Sequence, residues 1–294
     1  MPHHTDSVCR WGRLRVVLLG LLAAAVAGSL PATSRPGISV TTDPTLEAGF
    51  RAMYGLDFTS AGNLFREYER ARPADPLGYA AESTYLVFSE FSRLRLLEAE
   101  FETDNQKFFA KPSAPADPRL KQRVLELSER AQQLAQARLR QNPTDERALF
   151  ALALINGTLG DYAARVEHRY WGSAKYGRQG NDYARELLKH NPEFYDAYVW
   201  TGATNYIYGS LSFPLRLTGR LFGLYGDKAT GEANLRLAAE KGHYLKPYAK
   251  ILLAVAYLRD NNKPAAAALL ADLSAEFPSN SLFREEAKRL GSSH

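Results

Sequence analysis

A small residue recurs twelve positions ahead of a proline along this chain: Ala61 before Pro73, Ala131 before Pro143, Gly180 before Pro192 and Ala266 before Pro278. Proline lacks the N–H that a helix interior needs and ends a helix. A small side chain one face earlier lets a second helix approach to about 8–10 Å. The interval therefore predicts paired helices, the second member of each pair closed by its proline. Sustained alternation of apolar and polar residues is missing, so sheet is not expected.

Five helical hairpins can be laid along the text. The first runs from Thr42 to Asp75, with Gly49 in its first helix, a turn at Leu56-Asp57-Phe58, then Ala61, Phe65 and Pro73. The second opens at Asp75-Pro76 with Tyr79, Tyr85, Phe88 and Phe91 and is interrupted by the turn-forming run from Lys111 to Ala116. It resumes at Pro118 behind the capping residue Asp117. The third carries Leu149, Leu152 and Ala153, an expected turn at Gly160-Asp161-Tyr162, an insertion with Tyr170, Trp171 and Tyr176, and a closing helix over Ala184–His190. The fourth starts at Tyr195 and departs from the pattern over Tyr206–Leu224, where Pro214 falls, before a helix at Lys228–Lys241. The fifth holds Leu253, Ala254, Tyr257, Ala266, Leu270 and Pro278, and a polar-faced cap helix follows at Leu282–Leu290.

These spacings resemble the tetratricopeptide-repeat (TPR) superfamily over residues 42–290. The resemblance implies an all-α fold, a tetratricopeptide-like α-solenoid of about five helical hairpins with insertions and a C-terminal cap helix. It also implies a non-catalytic scaffold that binds a protein or peptide. The signature's tryptophan position holds Thr45, Leu149, Tyr198 and Lys250 instead. Gly226-Asp227-Lys228-Ala229-Thr230-Gly231, followed by Leu235 and Ala238-Ala239, resembles the tetratricopeptide protein 39 / inclusion-body clearance family, which implies an adaptor role near membranes and lipids.

The start of the chain reads differently. Arg10, Arg13 and Arg15 precede the apolar run Val16–Gly28, and Ala25-Val26-Ala27 offers small residues for a peptidase. That run is short against the ~20 residues of a membrane-spanning helix. Residues 1–27 are therefore expected to be a cleaved signal peptide rather than an anchor, and residues 28–41, rich in Gly, Ser, Pro and Thr, a linker. Export to a bacterial periplasm or envelope follows as the expectation. The sole cysteine, Cys9, lies in the leader, so the remaining chain has no thiol for disulfide, metal or catalysis. From the net charge of +5, losing three arginines and Asp6 leaves +3. No Lys/Arg stripe concentrates that charge, so nucleic-acid binding is not expected.

The inner face of such an array is lined by fixed positions of each first helix. Here they are Leu46, Phe50 and Met53, then Phe150, Leu154 and Gly157, then Val199, Ala203 and Tyr206. The candidate binding residues are thus Leu46, Phe50, Met53, Phe150, Leu154, Val199 and Tyr206. A carboxylate clamp needs Lys, Arg or Asn donors, and this stripe has none. It is suited to an amphipathic helix, an extended peptide or an apolar ligand. The alternative is that an additional helix covers the stripe and makes it core. The aromatic stretch Phe194–Phe213 reads as core or as a pocket. Asn156 and Asn205 read as hydrogen bonding between helices, and Glu67, Glu69, Glu285 and Glu286 as solvated faces.

Catalytic patterns are missing. His168, His190 and His243 lack metal-ligand spacing, and neither a nucleophile elbow nor a phosphate-binding loop occurs. No enzyme activity and no cofactor are expected. The functions left are an exported scaffold with a protein or peptide partner, or an envelope solute- or lipid-binding component of a transport system with an aromatic pocket. Oligomeric state is open. An enclosed cavity would favour the ligand, and an open groove the peptide. A hydrolase would need a carboxylate cluster or a histidine near Ser210 or Ser212 inside such a cavity.

Overall fold

Short acidic or amide side chains start most of the helices. In the computed structural model, which describes residues 43–97, 101, 112, 114–213, 216–217 and 225–291, the side chains of Asp43, Asp57, Asp75, Asp117, Asp145, Asp227 and Asn262 each accept a backbone N–H of the first helical turn. Proline follows Asp43, Asp75 and Asp117 directly, where its missing N–H costs nothing. The leader, the linker, Lys111, Ser113, Pro214 and Gly219 lie outside the described residues.

The helices are α1 (Pro44–Tyr54), α2 (Phe58–Ala71), α3 (Pro76–Arg93), α4 (Pro118–Gln141), α5 (Glu146–Arg165), α6 (Tyr170–His190), α7 (Tyr198–Gly209, entered through a short 3-10 turn), α8 (Lys228–Lys241), α9 (Lys246–Arg259), α10 (Lys263–Glu276) and α11 (Ser281–Gly291). Among the described residues there is no strand. Consecutive helices pack as the hairpins α1–α2, α3–α4, α5–α6, α7–α8 and α9–α10, with α11 against α10 as a cap. The chain is a tetratricopeptide-like α-solenoid.

Each proline of the twelve-residue interval does one local job. After α2, α4, α6 and α10 the chain closes the same turn, with Asp75 N–H donating to Arg72 O, Asp145 to Asn142 O, Phe194 to Asn191 O and Asn280 to Phe277 O, all at 3.0–3.1 Å. The residue before each proline leaves the helical region, with φ between −126° and −137°. The small residues Ala61, Ala131, Gly180 and Ala266 are buried at the hairpin contacts. The α8–α9 junction has no proline. There the buried carboxylate of Asp196 replaces it, accepting the backbone N–H groups of His243 (3.0 Å), Tyr244 (3.4 Å) and Leu245 (2.8 Å).

One expected turn is absent. α5 runs unbroken through Gly160-Asp161-Tyr162, and the chain reverses later, around His168, whose φ of 54° is left-handed. Gly160 is helical, and a Cβ there would make ordinary contacts, 3.4 Å to Tyr176 Cβ and 3.6 Å to Ser173 O. The aromatic insertion simply lengthens α6 at its start. Leu56, φ 62°, and Asn261, φ 57°, take the left-handed position in the first and fifth hairpin turns.

The array closes on itself. Asn280 Nδ2 donates to Tyr54 O at 2.9 Å, Ser279 Oγ to Gly55 O at 2.8 Å, and Arg51 pairs with Glu276 at 3.7 Å. The fifth hairpin thereby meets the first, and α9 lies inside the curve. Tyr248 of α9 approaches Phe88 of α3 edge-on at 6.3 Å and donates to Asp161 of α5 at 3.1 Å. Tyr244, at the head of α9, meets Phe50 at 5.3 Å and stacks on Phe150 at 6.2 Å.

Candidate functional site

The inner stripe is divided by α9. Leu46, Phe50 and Phe150 are 0–2 % exposed. Their rings and chains pack on Phe65, Phe194, Trp200 and Tyr244, at 4.9–5.8 Å for the Phe50–Phe65, Phe150–Phe194 and Phe150–Trp200 pairs. Leu46 and Phe150 are thereby spent on the core, while Phe50 also edges a depression beside Glu47 and Arg51. The physical reason is the return of the fifth hairpin over them. Tyr206 is also buried, its hydroxyl donating to Ala256 O at 3.0 Å toward α9. Burial and the Asp260 carboxylate push its phenol up to about 12.

Met53, Leu154 and Val199 stand elsewhere. With Gly157 and Ala203 they line a partly open cleft of about 430 Å³ between α1, α3, α5, α6, α7 and α9. Val87, Phe88 and Phe91 of α3 and Trp200, Ile207 and Tyr208 of α7 complete much of its wall. Sequence reasoning missed the contributions of α6, namely Tyr170, Ser173, Ala174 and Gly177, and those of α9. The small residues Ser173, Ala174 and Gly177 recur on one side of α6, the signal that could have found them. A Cβ on Gly177 would meet nothing within 4 Å, so the space in front of it is open.

Several polar groups in this wall are satisfied by one another. Thr84 Oγ1 bonds Thr158 Oγ1 at 2.8 Å, and Asp161 accepts from Tyr248. Arg165, 5 % exposed, donates to Leu96 O at 2.7 Å and sits 5.7 Å from the Phe91 ring centre. Burial raises the Tyr208 phenol, against the lowering effect of the Arg178 charge. A wall built this way asks an occupant for apolar surface first. Among the described residues that line the cleft there is one carboxylate, Asp161, and no histidine; Ser210 and Ser212 are not in the wall. No group of three metal-ligating side chains occurs among the described residues. A second depression, about 440 Å³, has Phe50, Tyr54, Tyr244 and Phe277 among its lining residues beside the charged Glu47, Arg51, Lys246 and Glu276.

The asparagines behave differently from one another. Asn156 Nδ2 donates at 2.8 Å to Leu152 O of its own helix, so it does not link two helices. Asn205 accepts from Asp227 N–H at 3.2 Å and does tie α7 to the start of α8. Glu69, read as solvated, is buried beside Glu82 of α3.

The crystal structure of TTC0263, a thermophilic TPR protein in Thermus thermophilus, is similar to this chain over 84% of its length and 96% of that protein's, at 16% identity and a TM-score of 0.44. No family model and no curated protein matches the chain. The tetratricopeptide-like description rests on the chain's own hairpins and proline turns. The likeness of its Gly226–Ala239 region to the tetratricopeptide protein 39 / inclusion-body clearance family has no support from these comparisons.

Proposed function

We propose that this protein is a non-catalytic binding protein of the cell envelope, whose cleft between α3, α5, α6, α7 and α9 takes the apolar part of a small ligand. One observation carries the reading: α9 fills most of the inner face and leaves about 430 Å³ bounded by apolar side chains. Ligand pockets run from about 300 to 1,000 Å³. The basic, apolar, small-residue leader supports export.

A protein or peptide partner is the second reading, favoured by the mouth of the cleft, where Tyr170 and Ile207 are 49 % and 58 % exposed, which suits anchoring an apolar side chain of a peptide. An apolar fluorescent probe such as N-phenyl-1-naphthylamine separates the two. Saturable one-site binding, displaced by long-chain fatty acids and lost in Gly177→Leu, supports the ligand. Failure of the probe to saturate rejects it.

A further inference from the structure

The outward face of α6 carries Trp171, Lys175 and Arg178 at spacings of four and three, so they share one side of the helix. All are exposed, and Trp171 is 90 % exposed. From Tyr170 to Asn181 the helix has no acidic residue; the exposed Asp182, four positions past Arg178, closes the patch at its C-terminal end. An adjoining side of this same stretch, Ser173, Ala174 and Gly177, is a wall of the cleft. Past the end of α7, Phe213 and Leu217 are 70 % and 55 % exposed, with Arg216 exposed beside them. The nearest carboxylate on the approach to α6, Glu167, is already paired with Lys121 at 2.6 Å and Arg169 at 3.1 Å.

We infer that this face of α6 docks on an anionic lipid bilayer and that the cleft behind it receives a lipid acyl chain from that surface. Tryptophan settles at the headgroup level, and neighbouring Lys and Arg are attracted to anionic lipids. A protein interface gathers Trp and Arg but depletes Lys, so Lys175 beside Trp171 is what favours the bilayer. No described helix is long and apolar enough to cross a membrane, so this contact is a surface one. The acyl-chain half of the inference rests on the cleft reading above; the docking half stands apart from it.

The full chain carrying Trp11→Phe and Trp200→Phe, which leaves Trp171 as the reporter, is titrated with phosphatidylglycerol/phosphatidylcholine vesicles whose acyl chains carry bromine, a contact quencher of tryptophan. Trp171 is expected to be quenched, and Lys175→Glu with Arg178→Glu should weaken docking at least about tenfold. Because Trp171 itself reports, attachment through the leader alone leaves it unquenched and overturns the docking. Equal quenching on pure phosphatidylcholine, or a protein partner that competes for Trp171 while vesicles do not, overturns it as well. Gly177→Leu separates the halves: it should still dock but extract no lipid. Docking by the wild type with no lipid retained in the cleft overturns the acyl-chain half.

Discussion

The backbone N–H of Asp43 donates to the hydroxyl of Tyr244 at 2.9 Å, across 201 positions of sequence. The residue that caps the first helix is thereby held by the residue that heads the ninth. The Tyr244 ring lies between Phe50 and Phe150, and this wedge turns an open array into a closed one with a small interior cleft.

Tyr244→Phe should keep the ring contacts and lose one hydrogen bond, at a cost of about 1 kcal/mol. Tyr244→Ala should leave a cavity and cost about 3–5 kcal/mol. Urea unfolding midpoints measure both. A cost below about 1 kcal/mol for the alanine variant would show that closure contributes little to stability.

The α7–α8 pair is the closest helix contact of the array. A Cβ on Gly231 would stand 2.3 Å from the backbone N of Tyr206, and one on Gly202 2.9 Å from that of Leu235. Backbone cannot swing aside as a side chain does. Gly231→Ala should therefore destabilise by about 3 kcal/mol or more, the upper end for overpacking, despite alanine's better helix propensity. Thermal unfolding that matches wild type would refute so tight a contact.

Burial, then the shared hydrogen bond and charge of Glu82, hold the Glu69 carboxyl well above its ordinary range, with Arg123 and Arg66 opposing. The folded chain keeps a proton that the unfolded chain releases above about 4.5. This contribution is full below that value and is lost as pH rises through the folded value. Glu69→Gln should consequently flatten the fall in stability between pH 5 and pH 8. Parallel pH profiles for the two proteins would place Glu69's charge elsewhere.

What was legible in the text was what local chemistry decides. Asp43-Pro44, Asp75-Pro76 and Asp117-Pro118 announce helix starts, and the four prolines announce the turns that end α2, α4, α6 and α10, because cap and proline act within a few residues. Gly160-Asp161-Tyr162 misled, since a glycine inside a helix has the same letter as one that turns the chain. Met53, Leu154 and Val199 were placed on the inner stripe by helical period. Period says which side chains share a face and not what covers them. That Leu46, Phe50 and Phe150 are core depends on Tyr244, about two hundred residues from Asp43, and such contacts leave no local pattern. Glu69 was misread for the same reason: its neighbour Glu82 belongs to the next helix.

Native mass spectrometry of the protein purified from its native host cells, wild type beside Gly177→Leu, tests the cleft most directly. The added side chain projects into open space, and replacing a helical glycine favours the fold by up to about 1 kcal/mol. Wild type should carry one apolar ligand per chain, and Gly177→Leu should be equally folded and empty. Equal ligand in both proteins, or a bare wild type, would contradict the assignment of the cleft as the binding element.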